Sequence, residues 1–208
     1  MIIKKVKILF ILFLISLGNI EAYTQEKQEP VNKILFIFDA SQSMLGRWQS
    51  GRKIDIARKL LYNMLDSLKN MENLEIGLRV YGHQKSYPPQ DCDDTRLEVD
   101  FGRSQEVTSR IKAKLKMIRA RGTTPIAISL EKGAYDFANS KNSRNIIILI
   151  TDGIEECNMD PCSVSRLLQR EGAILKPFVN GIGLDKGYKE TFDCVGTYYD
   201  ASKEKDFE

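Results

Sequence analysis

The sequence predicts an α/β fold in three layers, in which a mainly parallel central sheet with one antiparallel edge strand lies between helices. Apolar runs typical of buried strands alternate along the chain with segments whose apolar residues recur at helical spacing. Two of the runs, KILFIF at 33–38 and NIIILIT at 145–151, are almost unbroken. This is the pattern of strands that helices cover on both faces. With 208 residues, the chain suffices for one substantial domain.

The first half of the chain predicts three strands and one long helix. The strand at 33–38 leads into a helix over 54–68 that carries its apolar residues on one face. In the segment 74–82, apolar residues alternate at Leu74, Ile76, Leu78 and Val80. This is the period of a strand with one strongly apolar face. A shorter strand at 96–102 follows closely, so we expect it to pair back antiparallel at an edge of the sheet.

The second half continues the alternation. RGTTP interrupts the helical pattern, and Pro125 suits the first turn of the helix that follows. The apolar run at 145–151 is predicted to be the central strand. The other predicted elements are helices over 105–118, 126–138, 162–171 and 187–195 and strands at 174–183 and 197–201.

Residues 1–22 have the layout of a secretory signal peptide. Three lysines precede an apolar run of 11 residues at 8–18, and the small residue Ala22 follows it. This run is shorter than the roughly 20 residues that span a bilayer, which disfavours the alternative of an uncleaved membrane anchor. We therefore expect a secreted or periplasmic protein with no membrane span after cleavage. A leader at 23–32 and one domain at 33–208 would remain, and its last residues predict a C-terminal helix that is cut short.

Charge and cysteine content narrow the function classes. The net charge is +3, and three positive charges belong to the signal segment, so no nucleic-acid partner is indicated. In an exported protein the four cysteines are candidates for disulfides. We expect a loop-stapling disulfide among Cys92, Cys157 and Cys162, with its pairing open, whereas Cys194 is either buried and free or bonded to the helix beginning at Cys162. A zinc site of four thiolates is disfavoured because no C-x2-C pair is present.

Oxygen-bearing side chains follow two of the predicted strands. Asp39, Ser41 and Ser43 come at two-residue intervals after the first strand, and Asp152 follows the central strand. Ligands of open parallel sheets bind beyond the carboxyl ends of the strands. The segment GTTP places two threonines in the same layer of loops. Because Mg²⁺ takes one or two carboxylates and keeps other positions for water or a guest ligand, these oxygens predict a cation site.

Three segments carry a resemblance to a known family. DASQS matches the D-x-S-x-S pattern of the metal-ion-dependent adhesion site in von Willebrand factor type A (VWA) domains, and GTTP and LITDG resemble the threonine and aspartate segments of that site. The resemblance covers about residues 31–204 and is to the bacterial exported branch. It implies hydroxyl ligands from Ser41, Ser43 and Thr124 and carboxylates from Asp39 and Asp152, directly or through water.

The resemblance also implies a function. Neutral hydroxyls leave the cation, Mg²⁺ by default or else Mn²⁺ or Ca²⁺, under-neutralised by its two aspartates, so that it can accept an acidic side chain from a protein partner. Four residues that follow nearby loops are candidates to rim this docking face, because exposed aromatic and arginine residues favour interfaces. Local packing explains each of them equally well. These candidate rim residues are Met44, Arg47, Trp48 and Tyr87.

Two other groups of residues are weaker candidates. Asp91, Asp93 and Asp94 in the loop QDCDDT are acidic enough for a Ca²⁺ site, but we expect a solvated loop there. His83 is the single histidine, and a hydrogen-bonded residue at a strand end is favoured over a catalytic base.

The sequence therefore predicts a non-enzymatic, metal-dependent protein-binding module. The chief alternative is a metal-dependent hydrolase or phosphatase, since strand-end aspartates and Mg²⁺ also serve phosphoryl chemistry. Against it, Ser41 stands where a D-x-D pair would have its second aspartate, and no phosphate-binding loop or G-x-S-x-G elbow is present. A purely structural domain of the same fold is the third hypothesis.

Overall fold

The computed structural model describes residues 29–137, 142–184 and 188–201. The predicted signal peptide, most of the leader and the predicted C-terminal helix lie outside the described residues. None of the helices in those ranges is both long and apolar enough to cross a membrane.

A six-stranded sheet with a separate two-stranded ribbon and five helices make up the described ranges. The strands are β1 (Val31–Asp39), β2 (Arg47–Trp48), β3 (Gly51–Arg52), β4 (Leu74–Tyr81), β5 (Thr95–Arg103), β6 (Ser143–Thr151), β7 (Phe178–Ile182) and β8 (Thr197–Ala201). The helices are α1 (Lys53–Leu68), α2 (Ser104–Met117), α3 (Ile126–Asp136), α4 (Pro161–Arg170) and α5 (Tyr188–Asp193), and a 3₁₀ turn covers Gln42–Leu45.

The main sheet has the strand order β5-β4-β1-β6-β7-β8. All neighbouring strands are parallel except β4 and β5, which pair antiparallel at one edge. The chain goes from β1 to one side of the sheet and later returns to its other side with β6. Such a reversal of strand order opens a crevice beyond the carboxyl ends of the strands. The predicted mainly parallel sheet with an antiparallel edge is confirmed.

Strand β1 shows why three layers form. Alternate side chains of a strand point to opposite faces, and Phe36 and Phe38 enter a core with α1 and α2, whereas Leu35 and Ile37 enter a second core with α3 and α4. All four side chains are fully buried. An uninterrupted apolar strand is therefore required at the centre of the sheet, since water reaches neither face.

Besides shifts of one or two residues at element ends, one strand is shorter than predicted and one ribbon was not predicted. The strand predicted at 174–183 is confined to β7, because Pro177 has no N–H to give to a strand ladder. The carbonyl of Pro177 instead accepts a hydrogen bond from the Thr197 N–H at 2.7 Å. The ribbon of β2 and β3 was not predicted, since two-residue strands are too short to show an alternating pattern.

Candidate metal centre

Three distant segments meet beyond the carboxyl ends of β1 and β6. Strand β1 ends at Asp39, and Asp152 directly follows β6. The loop before α3 joins them, because Ser41 and Gly122 form an isolated parallel bridge and the Gln42 N–H donates to the Gly122 carbonyl at 2.8 Å. The fold thus brings all three sequence motifs to one end of the sheet.

Hydrogen bonds connect four of the five predicted ligands in one network. The Ser41 N–H donates to Asp39 Oδ1 at 2.7 Å, and the hydroxyl oxygens of Ser41 and Ser43 lie 3.0 Å apart. The Ser43 hydroxyl in turn donates to Asp152 Oδ1 at 2.7 Å. This last contact joins residues 109 positions apart in the chain, so only the fold creates it.

Thr124 lies at the same cleft. A cavity of about 280 Å³ is lined by Ser43, Thr124 and Asp152 together with Lys53 and Glu156. The Thr124 N–H donates to Glu156 Oε2 at 3.0 Å, and the Thr124 carbonyl accepts from the Glu156 N–H at 3.2 Å. These two bonds hold the threonine segment against the loop that carries Asp152.

Thr151 and Tyr81 stabilise Asp39 through a chain of buried hydrogen bonds, and neither residue was predicted to belong to the centre. The Thr151 hydroxyl donates to Asp39 Oδ2 at 2.7 Å, and the Tyr81 hydroxyl donates to the Thr151 hydroxyl at 3.0 Å. A signal existed for Thr151, which is a polar residue at the end of an otherwise apolar strand. Tyr81 gave no such signal, because only the pairing of β4 with β1 places it beside Asp39.

The surroundings of Asp39 disfavour its ionised form. Burial raises the pKa of Asp39 to about 6, and the negative charge of Asp152 acts in the same direction against the hydrogen bonds from Ser41 and Thr151. Burial and the charge of Asp39 also raise the pKa of Tyr81 well above its usual value, which keeps that phenol a neutral donor. A cation beside the two aspartates would relieve this repulsion.

The donor set fits a hard divalent cation. Among the residues the structure describes, no three His, Cys, Asp or Glu side chains group closely enough to hold a metal by themselves. The centre instead combines two carboxylates with serine and threonine hydroxyls. Mg²⁺ accepts this composition, since it commonly takes one or two carboxylates and fills its other positions with neutral oxygens.

Lys53 is a further charged residue of the centre that the sequence analysis missed. Its Nζ lies 2.8 Å from Asp152 Oδ2. The lysine is the first residue of α1, and its backbone N–H donates to the Gly46 carbonyl at 2.9 Å. One carboxylate of the candidate centre therefore carries an ion pair within the chain.

The four predicted rim residues differ in exposure. Met44 is fully buried in the core beside α1, so its prediction as a rim residue is wrong. The 3₁₀ turn directs it inward, and the neighbouring Leu45 is exposed instead. Arg47 is exposed, and Tyr87 is 47% exposed on the loop after β4. Trp48 is partly buried against the core.

Trp48 also contacts the loop after β7. A Cβ atom added to Gly183 would lie 2.8 Å from the Trp48 ring, so the ring rests directly on that backbone. Gly183 has a φ of +61°, and it lines the cleft of the candidate centre. The β2–β3 ribbon thereby packs against the wall of this cleft.

The four cysteines form two disulfides. Cys92 bonds to Cys157, which confirms a loop-stapling disulfide among the first three cysteines and decides its pairing. It joins the loop after β4 to the loop after β6, next to the candidate centre. Cys162 bonds to Cys194, so Cys194 is not free. This bond links α4 to the residue that directly follows α5.

The acidic loop is organised around its own backbone. Asp94 is buried, and its carboxylate accepts hydrogen bonds from the Gln84 and Lys85 N–H groups at 3.0–3.1 Å. Asp91 pairs with Lys85 Nζ at 2.7 Å, and Asp93 is exposed. The expected solvated loop therefore holds for Asp93, whereas Asp94 braces the turn.

His83 lies at the end of β4 and is hydrogen-bonded. Its Nε2 is 2.7 Å from Glu98 Oε1. Burial alone would raise the pKa of Glu98, but hydrogen bonds from His83, Lys114 and Arg96 outweigh that effect and lower this pKa to about 2. The histidine thus belongs to a cluster with charged residues of β5 and α2.

The fold and the converging motifs define a class of protein. VWA domains have three layers with a mainly parallel central sheet. In this arrangement a D-x-S-x-S turn, a threonine loop and a strand-end aspartate meet at the carboxyl ends of the strands. The family model of the von Willebrand factor type A domain matches residues 33–191. The chain belongs to this family.

Particular proteins resemble it over most of its length. The uncharacterized protein YwmD from Bacillus subtilis (strain 168) is 31% identical over 199 residues, which cover 90% of this chain and 86% of that protein. An aerotolerance-related membrane protein from Bacteroides fragilis has a TM-score of 0.66 at 17% identity, over 84% of this chain and 93% of that one. The pilus adhesin SpaC from Lactobacillus rhamnosus GG has a TM-score of 0.69 at 16% identity, over 88% of this chain and 30% of that one.

Proposed function

We propose that this VWA domain is an exported protein-binding module that captures an acidic side chain of a partner protein through a divalent cation. Mg²⁺ is the expected ion, with Mn²⁺ or Ca²⁺ as substitutes. Its ligands would be Asp39, Ser41, Ser43, Thr124 and Asp152. When bound, the cation would supply an electrophilic site for a carboxylate from outside the chain.

One observation carries the proposal. The hydroxyls of Ser41 and Ser43 form a continuous path of hydrogen bonds to Asp152, with Asp39 bound to the Ser41 backbone at its other end. A mere turn after β1 would satisfy these oxygens locally. Instead they converge on the carboxylate of another strand, at the mouth of a cleft that Thr124 lines.

The charge balance explains why such a centre would bind an acid. Two aspartates carry at most two negative charges, and the hydroxyls add none. Because these two carboxylates and neutral hydroxyls are its proposed ligands, a divalent cation would keep coordination positions open for one more carboxylate. We infer a docking site from this balance, in preference to a metal whose coordination is completed by the chain.

An extracytoplasmic location agrees with the same function. The chain forms two disulfides, and disulfides persist in oxidising compartments. The signal-like N-terminus predicts export to such a compartment. One structural neighbour, SpaC, is a pilus adhesin, which is a surface-binding role of the kind we propose here.

The test is partner capture from the cell-envelope fraction with Mg²⁺ or with a chelator. We expect capture by the disulfide-bonded protein in Mg²⁺, and loss of it in chelator or in Thr124→Ala. Thr191→Ala is the matched control, because Thr191 is exposed on α5 and is not among the residues that line the cleft, and it should leave capture unchanged. Both variants should retain the wild-type circular dichroism spectrum.

Other results would favour the rival functions. A Thr124→Ala variant that loses thermal stability in Mg²⁺ but captures partners normally would indicate a structural metal. Mg²⁺-dependent hydrolysis of a generic phosphate ester, abolished by Asp39→Asn, would favour the hydrolase. Capture that is indifferent to chelator would refute the metal-dependent mechanism.

A further inference from the structure

Lys53 reaches into the candidate metal centre from the start of α1. Its Nζ donates to Asp152 Oδ2 at 2.8 Å, and a Cβ atom added to Gly46 would lie 3.9 Å from Lys53 Cε, so the stem runs past Gly46. The Lys53 side chain is 20% exposed, whereas that of Asp152 is fully buried. A flexible, partly exposed ammonium thus neutralises a buried carboxylate.

Both oxygens of Asp152 are engaged within the chain. Oδ1 accepts from the Ser43 hydroxyl and Oδ2 accepts from Lys53. Of the ion pairs between described residues, this one alone involves Asp39 or Asp152. A divalent cation that binds Asp152 would therefore meet a positive charge already attached to that carboxylate.

We propose that Lys53 is a tethered internal cation that competes with the divalent metal for Asp152 and so weakens metal affinity. This inference rests on the proposed metal centre. An ammonium and a dication on one carboxylate repel each other, and in a partly buried site this repulsion is stronger than in water. Binding of the metal must then displace the ammonium or tolerate its charge.

The structure allows displacement. Lysine has a flexible four-carbon stem and a strongly hydrated charge, and Lys53 lines the same cleft that opens beside Asp152. Its ammonium can move toward solvent without a change in the backbone of α1. The domain would thus exchange one counter-ion of Asp152 for another, and it would keep this buried carboxylate paired when the divalent ion concentration is low.

The test compares Mg²⁺ affinity by titration calorimetry in charge variants of the disulfide-bonded protein. Lys53→Met removes the charge, and Lys53→Gln removes it but keeps a hydrogen-bond donor for Asp152. Both should bind Mg²⁺ about tenfold or more tightly than the wild type, since a charged hydrogen bond to a buried partner contributes about this factor. Lys53→Arg should stay close to the wild type.

Lys59→Met is the matched control, because Lys59 is exposed on the same helix and its loss changes the net charge equally. Its Mg²⁺ affinity should equal that of the wild type. Thermal unfolding gives a second readout. In chelator, Lys53→Met should melt below the wild type because Asp152 loses its counter-ion, and Mg²⁺ should restore the melting temperature.

The outcomes separate this inference from the proposed function. Wild-type protein that binds Mg²⁺, with Lys53→Met and Lys53→Gln equal or weaker, would overturn the competition and leave the metal centre standing. Absence of Mg²⁺, Mn²⁺ and Ca²⁺ binding in the wild type and in all three Lys53 variants would overturn both. Binding that appears only in the neutral variants would support the competition in its strongest form.

Discussion

Removal of the Cys92–Cys157 disulfide should cost the protein much of its stability. The bond closes a loop of 65 residues. For a loop of this length, the lost chain entropy of the unfolded state corresponds to about 4 kcal/mol at 25 °C. The double variant Cys92→Ser/Cys157→Ser should therefore have a free energy of unfolding lower by about 4 kcal/mol.

The same variant should also loosen the candidate metal centre. The Cys157 N–H donates to Glu155 Oε1 at 2.9 Å, and Glu155 Oε2 accepts from the Ala127 N–H at the start of α3 at 2.6 Å. The adjacent Glu156 holds both backbone polar groups of Thr124. Freeing Cys157 thus releases the loop that positions the threonine ligand, and Mg²⁺ affinity should fall.

Urea unfolding followed by circular dichroism measures the first effect, and titration calorimetry measures the second. The matched control is Cys162→Ser/Cys194→Ser, which opens a loop of 32 residues. Since each doubling of loop length changes the entropy term by only about 0.6 kcal/mol, the control should lose nearly as much stability. It should keep its Mg²⁺ affinity. A loss below about 1 kcal/mol for the Cys92–Cys157 variant, or equal Mg²⁺ weakening in both, would refute this reasoning.

Three further substitutions test individual contacts. The pKa of Glu98 is about 2 in the folded protein, below its usual value of 4.5. The stability that ionised Glu98 contributes is therefore present above pH 4.5 and lost toward pH 2. In urea titrations, the advantage of the wild type over Glu98→Gln should shrink by roughly 3 kcal/mol across that window. Gly82→Ala should lose about 2–4 kcal/mol, because its φ is +67° and the new Cβ would lie 2.6 Å from the Thr123 carbonyl oxygen. Asp136→Asn should cost about 3–5 kcal/mol by thermal unfolding, since it removes one of the two acceptors and the negative charge that pair with buried Arg79.

Each of these substitutions has its own control. An acid-unfolding profile of Glu98→Gln that parallels the wild type would show that this carboxyl has an ordinary pKa. Gly172 has a φ of +69° and no atom within 4 Å of an added Cβ, so Gly172→Ala should lose only the about 1–2 kcal/mol of stability that backbone strain costs. Equal losses of stability at Gly82 and Gly172 would argue against the close contact at Gly82. Asp55→Asn breaks exposed pairs and should cost under about 1 kcal/mol, and a similar cost for Asp136→Asn would mean that Arg79 finds another partner.

Local pattern in the sequence was sufficient to predict the layers, the antiparallel edge and the approximate ends of most elements. The reason is that burial on both faces requires an unbroken apolar strand such as β1, and a helix packed on one side requires apolar residues at helical spacing. The ends of β1 and β6 were also predictable from the sequence, because Asp39 and Asp152 interrupt apolar runs abruptly. That both should lie at one edge follows from parallel strand direction.

Contacts between distant segments were decided only by the tertiary structure. The Lys53–Asp152 pair joins residues 99 positions apart, and the Thr151–Asp39 bond joins residues 112 positions apart. Periodicity reports the face on which a side chain lies but not its partner across that face, so the sequence predicted no pairing for these groups. The disulfide pairing and the burial of Met44 depended on loop paths for the same reason, since a loop has no repeating pattern from which its direction can be predicted.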